Sequence, residues 1–221
     1  MVTSAIAAYC SSVKNMDVGV MKPFEAGLML RGKDLLPWDA ICLKEASGSQ
    51  DDMALINPYA FEAPLSPLAA SEEENIHIDL EMLDRIYQSL LKKHEILLIE
   101  GAGGILVPIR KDFFFVDLIK RWNVPVLVIS RLGIGTINHT LLTCRYLKQQ
   151  GIKVTGVILN DSDTKNDPSK QSNPEVLSRY LDVPLLGVFP YEEALVKGER
   201  PREVLASIVA DHIDMKPIIG A

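Results

Sequence analysis

The 221-residue sequence predicts an α/β fold, a doubly wound and mostly parallel sheet, with residues 1–221 forming one domain. Three observations carry this. Short apolar runs such as Ile96–Ile99 and Val154–Leu159 alternate with helical segments along the chain, the order that builds parallel sheets with helices on their faces. The Ile96–Ile99 run lacks polar alternation, as a strand covered on both faces does. Apolar residues make up 48% of the sequence, enough for a sizeable core in one α/β unit of this length.

Taken in order, Met1–Val13 predicts a helix, being small, apolar and free of Gly and Pro. It is an unusual opening, because a first helix needs a sheet to pack on. Asp17–Met21 follows as a strand that Lys22-Pro23 ends, proline having no amide to donate. A loop runs to Pro37, and Asp39–Ala46 is a short helix. Asn57-Pro58-Tyr59, Pro64 and Pro67 predict a rigid extended loop. Ile78–Lys93 is a helix, with Leu80, Leu83, Ile86, Leu90 and Leu91 spaced for one buried face. After the Ile96–Ile99 strand come a helix (Phe113–Trp122), a strand (Val124–Ile129) and a helix from Thr136 to Gln150 that Gly151 stops. Val154–Leu159 is the next strand, and Thr164–Asn173 is a polar, mobile segment. A helix (Pro174–Leu181), a strand (Leu185–Phe189) and a closing helix (Pro201–His212) complete the alternation.

Composition excludes several classes of function. With 23 basic and 29 acidic residues and no block of like charge, the chain has no basic stripe for nucleic acid. Cys10, Cys42 and Cys144 are odd in number and widely separated, which predicts reduced, buried thiols and a cytoplasmic setting. No apolar run nears the roughly 18 residues of a membrane span, so no membrane partner is expected. His77, His94, His139 and His212 show no metal-ligand spacing and are expected at the surface or in packing roles.

Chemistry concentrates in His94–Ile109, HEILLIEGAGGILVPI. The strand stops at Glu100, and Gly101-Ala102-Gly103-Gly104 follow. Ligands of open α/β sheets bind beyond the carboxyl ends of strands, and a loop nearly without side chains lets backbone approach them closely. A carboxylate beside such a loop fits a metal–nucleotide complex; a tight turn with a solvated Glu fits it too. Other strand ends fall at the same edge: Lys22, the Ser130–Gly135 loop, Asn160 and Pro190. Gly133-Ile134-Gly135 before a helix has the look of a dinucleotide fingerprint, but Asn138 stands where its third glycine belongs. The free amides there still favour an anion.

Together these residues resemble dethiobiotin synthetase, the ATP-dependent ligase of biotin biosynthesis. The resemblance rests on MKPFEAG (21–27), WDA (38–40), NPYAFEAPLSP (57–67), IEGAGG (99–104), LGIGTINHTLLT (132–143), LND (159–161) and GVFPYEE (187–193). It implies a P-loop NTPase-like fold and a reaction that joins CO2 to 7,8-diaminononanoate as a carbamate. ATP then phosphorylates the carbamate, and the second amine closes the ring. It also implies ATP and Mg2+ as cofactors and a homodimer. By resemblance Lys22 faces carbamate and γ-phosphate, and Asp39 and Glu100 hold magnesium. Gly101, Ala102 and Gly103 line nucleotide and substrate. Asn160, Asp161, Pro190, Tyr191 and Glu192 form the adenine pocket. Leu132, Gly133 and Asn138 hold the distal carboxylate of substrate bound to the other subunit.

Two departures stand out. Ala26 replaces a Ser or Thr whose hydroxyl touches substrate, a loss of about 1 kcal/mol. The family's opening strand and phosphate loop, GxxxxGKT, have no counterpart here, and counting back from Lys22 puts Met1 where the loop's last Thr would stand. The expectation is an N-terminally shortened copy lacking the first strand. A catalytically inactive homologue serving as a partner or regulatory subunit is the alternative. A switch ATPase of the septum-positioning or partitioning type fits less well, given LGIGTIN.

Overall fold

The computed structural model describes residues 1–196 and 201–220. Two compact units divide the chain. The first holds Thr3–Leu118 and Pro201–Ala206, and the second begins at Ile119 and takes the chain from Ser207 onward.

In the first unit, α1 (Val2–Ser12) precedes β1 (Val18–Met21), β2 (Phe24–Ala26) and a hairpin of β3 (Met29–Arg31) and β4 (Asp34–Leu36). Then come α2 (Trp38–Ser47), α3 (Met53–Ile56), β5 (Tyr59–Phe61), α4 (Pro67–Glu73), α5 (Leu80–Lys93) and β6 (Ile96–Ile99). β7 (Pro108–Arg110) and β8 (Phe113–Phe114) make a short antiparallel pair before α6 (Phe115–Trp122). The second unit continues with β9 (Val126–Arg131), α7 (Thr136–Gln149), β10 (Val154–Asn160), α8 (Ser169–Tyr180), β11 (Leu185–Phe189) and α9 (Glu193–Val196). α10 (Arg202–His212) and α11 (Lys216–Ile219) end the chain.

Both units carry the expected parallel ladders. β1 pairs with β6 in register Met21↔Ile99, so Lys22 and Glu100 leave the ladder side by side. β9, β10 and β11 form a parallel sheet in which Asn160 aligns with Arg131 and Phe189. Carboxyl ends therefore gather at one edge of each ladder.

Four expectations change. The 57–67 segment is not all loop, because β5 pairs in parallel with β2. Tyr59 stacks on Phe24 at 5.5 Å and on Phe61 at 6.3 Å, and that aromatic contact outweighs the flanking prolines. Each residue of β6 is partly exposed, not covered on both faces. Among the described residues it belongs to a two-stranded ladder with β1. α8 starts at Ser169, before Pro174, because Asp167 accepts the Ser169 amide at 2.9 Å. The 164–173 stretch is also tied down by Lys170, which reaches Asp161 at 2.7 Å and Asp163 at 2.9 Å.

The loop expected to run to Pro37 is the fourth, since it holds β2, β3 and β4. His94 takes a packing role, one of the two expected for it. Its side chain is 5% exposed, with Nδ1 2.8 Å from Asp17 and Nε2 2.7 Å from Asp51. Ser49 Oγ donates to Asp51 at 2.6 Å, and the Lys93 ammonium also bonds it. The cluster joins the entry to β1, the loop after α2 and the end of α5. The three cysteines are buried and form no disulfide among the described residues, as expected. Among the described residues no helix is long and apolar enough to cross a membrane.

Candidate active site

In the first unit the register of β1 on β6 delivers Lys22 and Glu100 to the same point. Lys22 Nζ donates to Glu100 Oε1 at 2.8 Å and lies 3.7 Å from Asp39 Oδ2. The lysine side chain is only 6% exposed, against 53% for Asp39 and 20% for Glu100. Burial pulls the Lys22 ammonium toward neutrality, but the Glu100 charge and hydrogen bond, with Asp39 beyond, carry its pKa above the ordinary value. Burial likewise favours the neutral form of Glu100, raising its pKa. The Lys22 charge and hydrogen bond, helped by the Thr3 hydroxyl, bring its carboxyl below the ordinary range. The site is therefore a charged lysine bonded to an ionised Glu100, with the Asp39 carboxyl 3.7 Å away.

Backbone contacts hold Lys22 in place. Its amide donates to Ile56 O at 2.7 Å, and Asn57 Nδ2 donates to its carbonyl at 2.7 Å. Gly103 adopts φ 78, a left-handed turn that keeps the 101–104 loop folded back after β6.

Lys22, Ala26, Asp39, Glu100, Gly101, Ala102 and Gly103 line one cleft of about 560 Å³. Sequence reasoning grouped these seven. It missed Glu25, which lines the same cleft, and Asn57, which fixes the Lys22 backbone. No local pattern marked Glu25, because the amides it accepts, those of Asp39 and Ala40, start a helix fourteen residues further on.

The remaining predicted site residues belong to the second unit. Asn160 closes β10, and its carbonyl accepts the Leu132 amide at 2.8 Å. The Asp161 amide donates to Phe189 O at 2.9 Å, next to Pro190, Tyr191 and Glu192. Thus Leu132, Asn160, Asp161 and Pro190 share one strand-end edge. The Asp161 carboxylate is engaged by Lys170, and Leu132 is buried. Asn138 is exposed on α7. At the start of that helix the Ile134 amide donates to the Asp167 carboxylate at 2.9 Å, and Asn173 Nδ2 donates to Gly133 O at 2.8 Å.

Comparison with known proteins identifies the family and the fold. A family model described as an AAA domain matches residues 1–199. The ATP-dependent dethiobiotin synthetase BioD of Thermodesulfovibrio yellowstonii is 43% identical over 207 residues, spanning 90% of this chain and 86% of its own. The protein of the same name from Bacillus subtilis subsp. natto is 34% identical over 220 residues, spanning 100% of this chain and 91% of its own. Among solved structures, a ParA family ATPase from Chlorobium tepidum aligns with TM-score 0.53 at 14% identity, covering 95% of this chain and 85% of its own. That likeness shows the P-loop NTPase-like α/β fold and nothing further. The chain belongs to the ATP-dependent dethiobiotin synthetase family.

Proposed function

We propose that this chain is an ATP-dependent ligase that converts 7,8-diaminononanoate and CO2 to dethiobiotin through a carbamate and a carbamic–phosphoric anhydride. The observation that carries the reading is the Lys22 ammonium, buried between Glu100 and Asp39 at the strand-end cleft. Phosphoryl transfer to a carbamate needs positive charge where the transferred group becomes more negative, and reactants held in line. Lys22 supplies the first. Its buried, pre-bonded ammonium needs no reorganisation when that charge develops. The 101–103 loop supplies room for a nucleotide and the diamine to approach backbone.

Two neighbouring carboxylates, Asp39 and Glu100, suit Mg2+, which takes one or two protein carboxylates and fills its shell with water and phosphate oxygens. Bound there, the metal neutralises phosphate charge; the residues keep Lys22 protonated and aimed between them. Asn160, Asp161, Pro190, Tyr191 and Glu192 are proposed to hold adenine at their shared edge. Leu132, Gly133 and Asn138 are proposed to receive the substrate's distal carboxylate from the other subunit of a homodimer. In support, the Ile134 amide of that turn already accommodates a carboxylate, that of Asp167. This reading treats residues 1–221 as one dethiobiotin synthetase-like domain.

The test is dethiobiotin formation from 7,8-diaminononanoate, bicarbonate, ATP and Mg2+. Lys22→Ala is expected to lower the rate by roughly a hundredfold or more. Glu100→Ala is expected to raise the magnesium needed for half-maximal rate. Near-normal behaviour of both variants would overturn the site assignment. Absence of product with the unaltered, folded chain would overturn the activity.

A further inference from the structure

The start of α2 lacks an ordinary cap. Its N-cap residue is Pro37, which makes no side-chain hydrogen bond to the helix. The first amides of a helix have no partner within it and must find one elsewhere. Here they find Glu25, fourteen positions upstream on β2. Glu25 Oε1 accepts the Asp39 amide at 2.8 Å, and Oε2 accepts the Ala40 amide at 2.9 Å. Both oxygens of one carboxylate thus grip the peptide units on either side of the Asp39 Cα.

That grip is placed for more than capping. Glu25 is 5% exposed, and its carboxyl is pushed up by burial, with the two amides pulling it back. A Ser, Thr or Asn at position 37 would cap the helix without burying a charge. The amide it holds belongs to Asp39, whose carboxylate reaches Lys22 at 3.7 Å, and Glu25 lines the same cleft. Strand pairing anchors Glu25 itself: Glu25 lies opposite Ala60, between Phe24 and Ala26. The chain therefore has a rigid path from the β2–β5 pair through Glu25 to the Asp39 backbone.

We propose that Glu25 is a positioning residue for the reaction, fixing the first turn of α2 so that the Asp39 carboxylate stands beside Lys22. The metal consequence of this rests on the reading of Asp39 given above; the backbone hold does not. Glu25→Ala removes both acceptors. Glu25→Gln keeps the volume and one acceptor, and serves if the alanine variant fails to fold.

Amide hydrogen exchange by NMR reads the hold directly. In Glu25→Ala both amides 39 and 40 are expected to exchange at least about tenfold faster, while amides in β6 keep their protection. In Glu25→Gln one of the two is expected to stay protected. Unchanged exchange at both positions would overturn the proposal. The second readout is titration of the ADP-loaded protein with MgCl2 by calorimetry, on Glu25→Ala, Asp39→Ala and the double variant. If Glu25 acts through Asp39, each single change weakens magnesium binding and the double variant is no weaker than Asp39→Ala. Additive losses overturn the proposal, because Glu25 would then act without Asp39. If Asp39→Ala leaves the titration unchanged while exchange responds as expected, the metal assignment of Asp39 fails and the positioning role stands.

Discussion

Replacing Lys22 with Met keeps the bulk of the side chain and deletes its charge, so it isolates the electrostatics at the cleft floor. At the observed 2.8 Å, a unit pair attracts by about 6 kcal/mol for an effective dielectric of ~20. Most of that offsets the desolvation of both ions. The net loss on orphaning Glu100, one-fifth exposed, is about 2–3 kcal/mol. For a chain of this length that lowers Tm by roughly 5–10 °C. Thermal and urea unfolding at pH 7 would measure it. Glu100→Gln in the same background removes the stranded charge, and the double variant should recover most of the loss. The pH dependence has a definite sign. The raised Lys22 pKa means its contribution is full below the ordinary 10.5 and is lost as pH rises through the folded value. The lowered Glu100 pKa means its contribution is present above 4.5 and is lost as pH falls through the folded value. The deficit of Lys22→Met is therefore widest between those limits and narrows in acid. Single changes that add to within about 0.5 kcal/mol would refute the coupled pair.

Other outcomes follow from the surrounding structure. Asn57→Ala withdraws donors from the carbonyls of Lys22 and Tyr59 and is expected to destabilise by about 1–3 kcal/mol, with a larger fall in kcat than in thermal stability if Lys22 shifts. Asp51→Asn removes a carboxylate that burial raises but that Lys93, Ser49 and His94 hold below its ordinary 3.8. Its contribution is present above that value and lost as pH falls through the lowered one. Acid titration should show wild type and Asp51→Asn converging at low pH, and parallel curves would contradict the cluster.

Much of the cleft was legible because its residues sit at strand ends, where apolar runs stop at a charge. Lys22 and Glu100 each follow such a run, and parallel pairing makes them neighbours. Asp39 came from resemblance, since an acidic residue near a helix start is common. Glu25 was hidden because its role lies in a bond to a helix fourteen residues away, which no local periodicity records. β5 was hidden by the prolines around it, its pairing being settled by a Phe24–Tyr59–Phe61 stack that forms only in three dimensions. His94 gave no metal spacing, and its two carboxylate partners lie 77 and 43 positions away.

The His94 cluster also constrains how the sequence can drift. A Cβ placed on Gly19 would stand 2.4 Å from His94 Cδ2, closer than any real contact allows. Gly19→Ala alone must push the imidazole off Asp17 or Asp51, at about 1–3 kcal/mol measured by unfolding. Positions 19, 51 and 94 are thus one unit of inheritance. In homologous chains, any residue larger than glycine at 19 should appear with a smaller side chain than histidine at 94, and with the buried acid at 51 replaced.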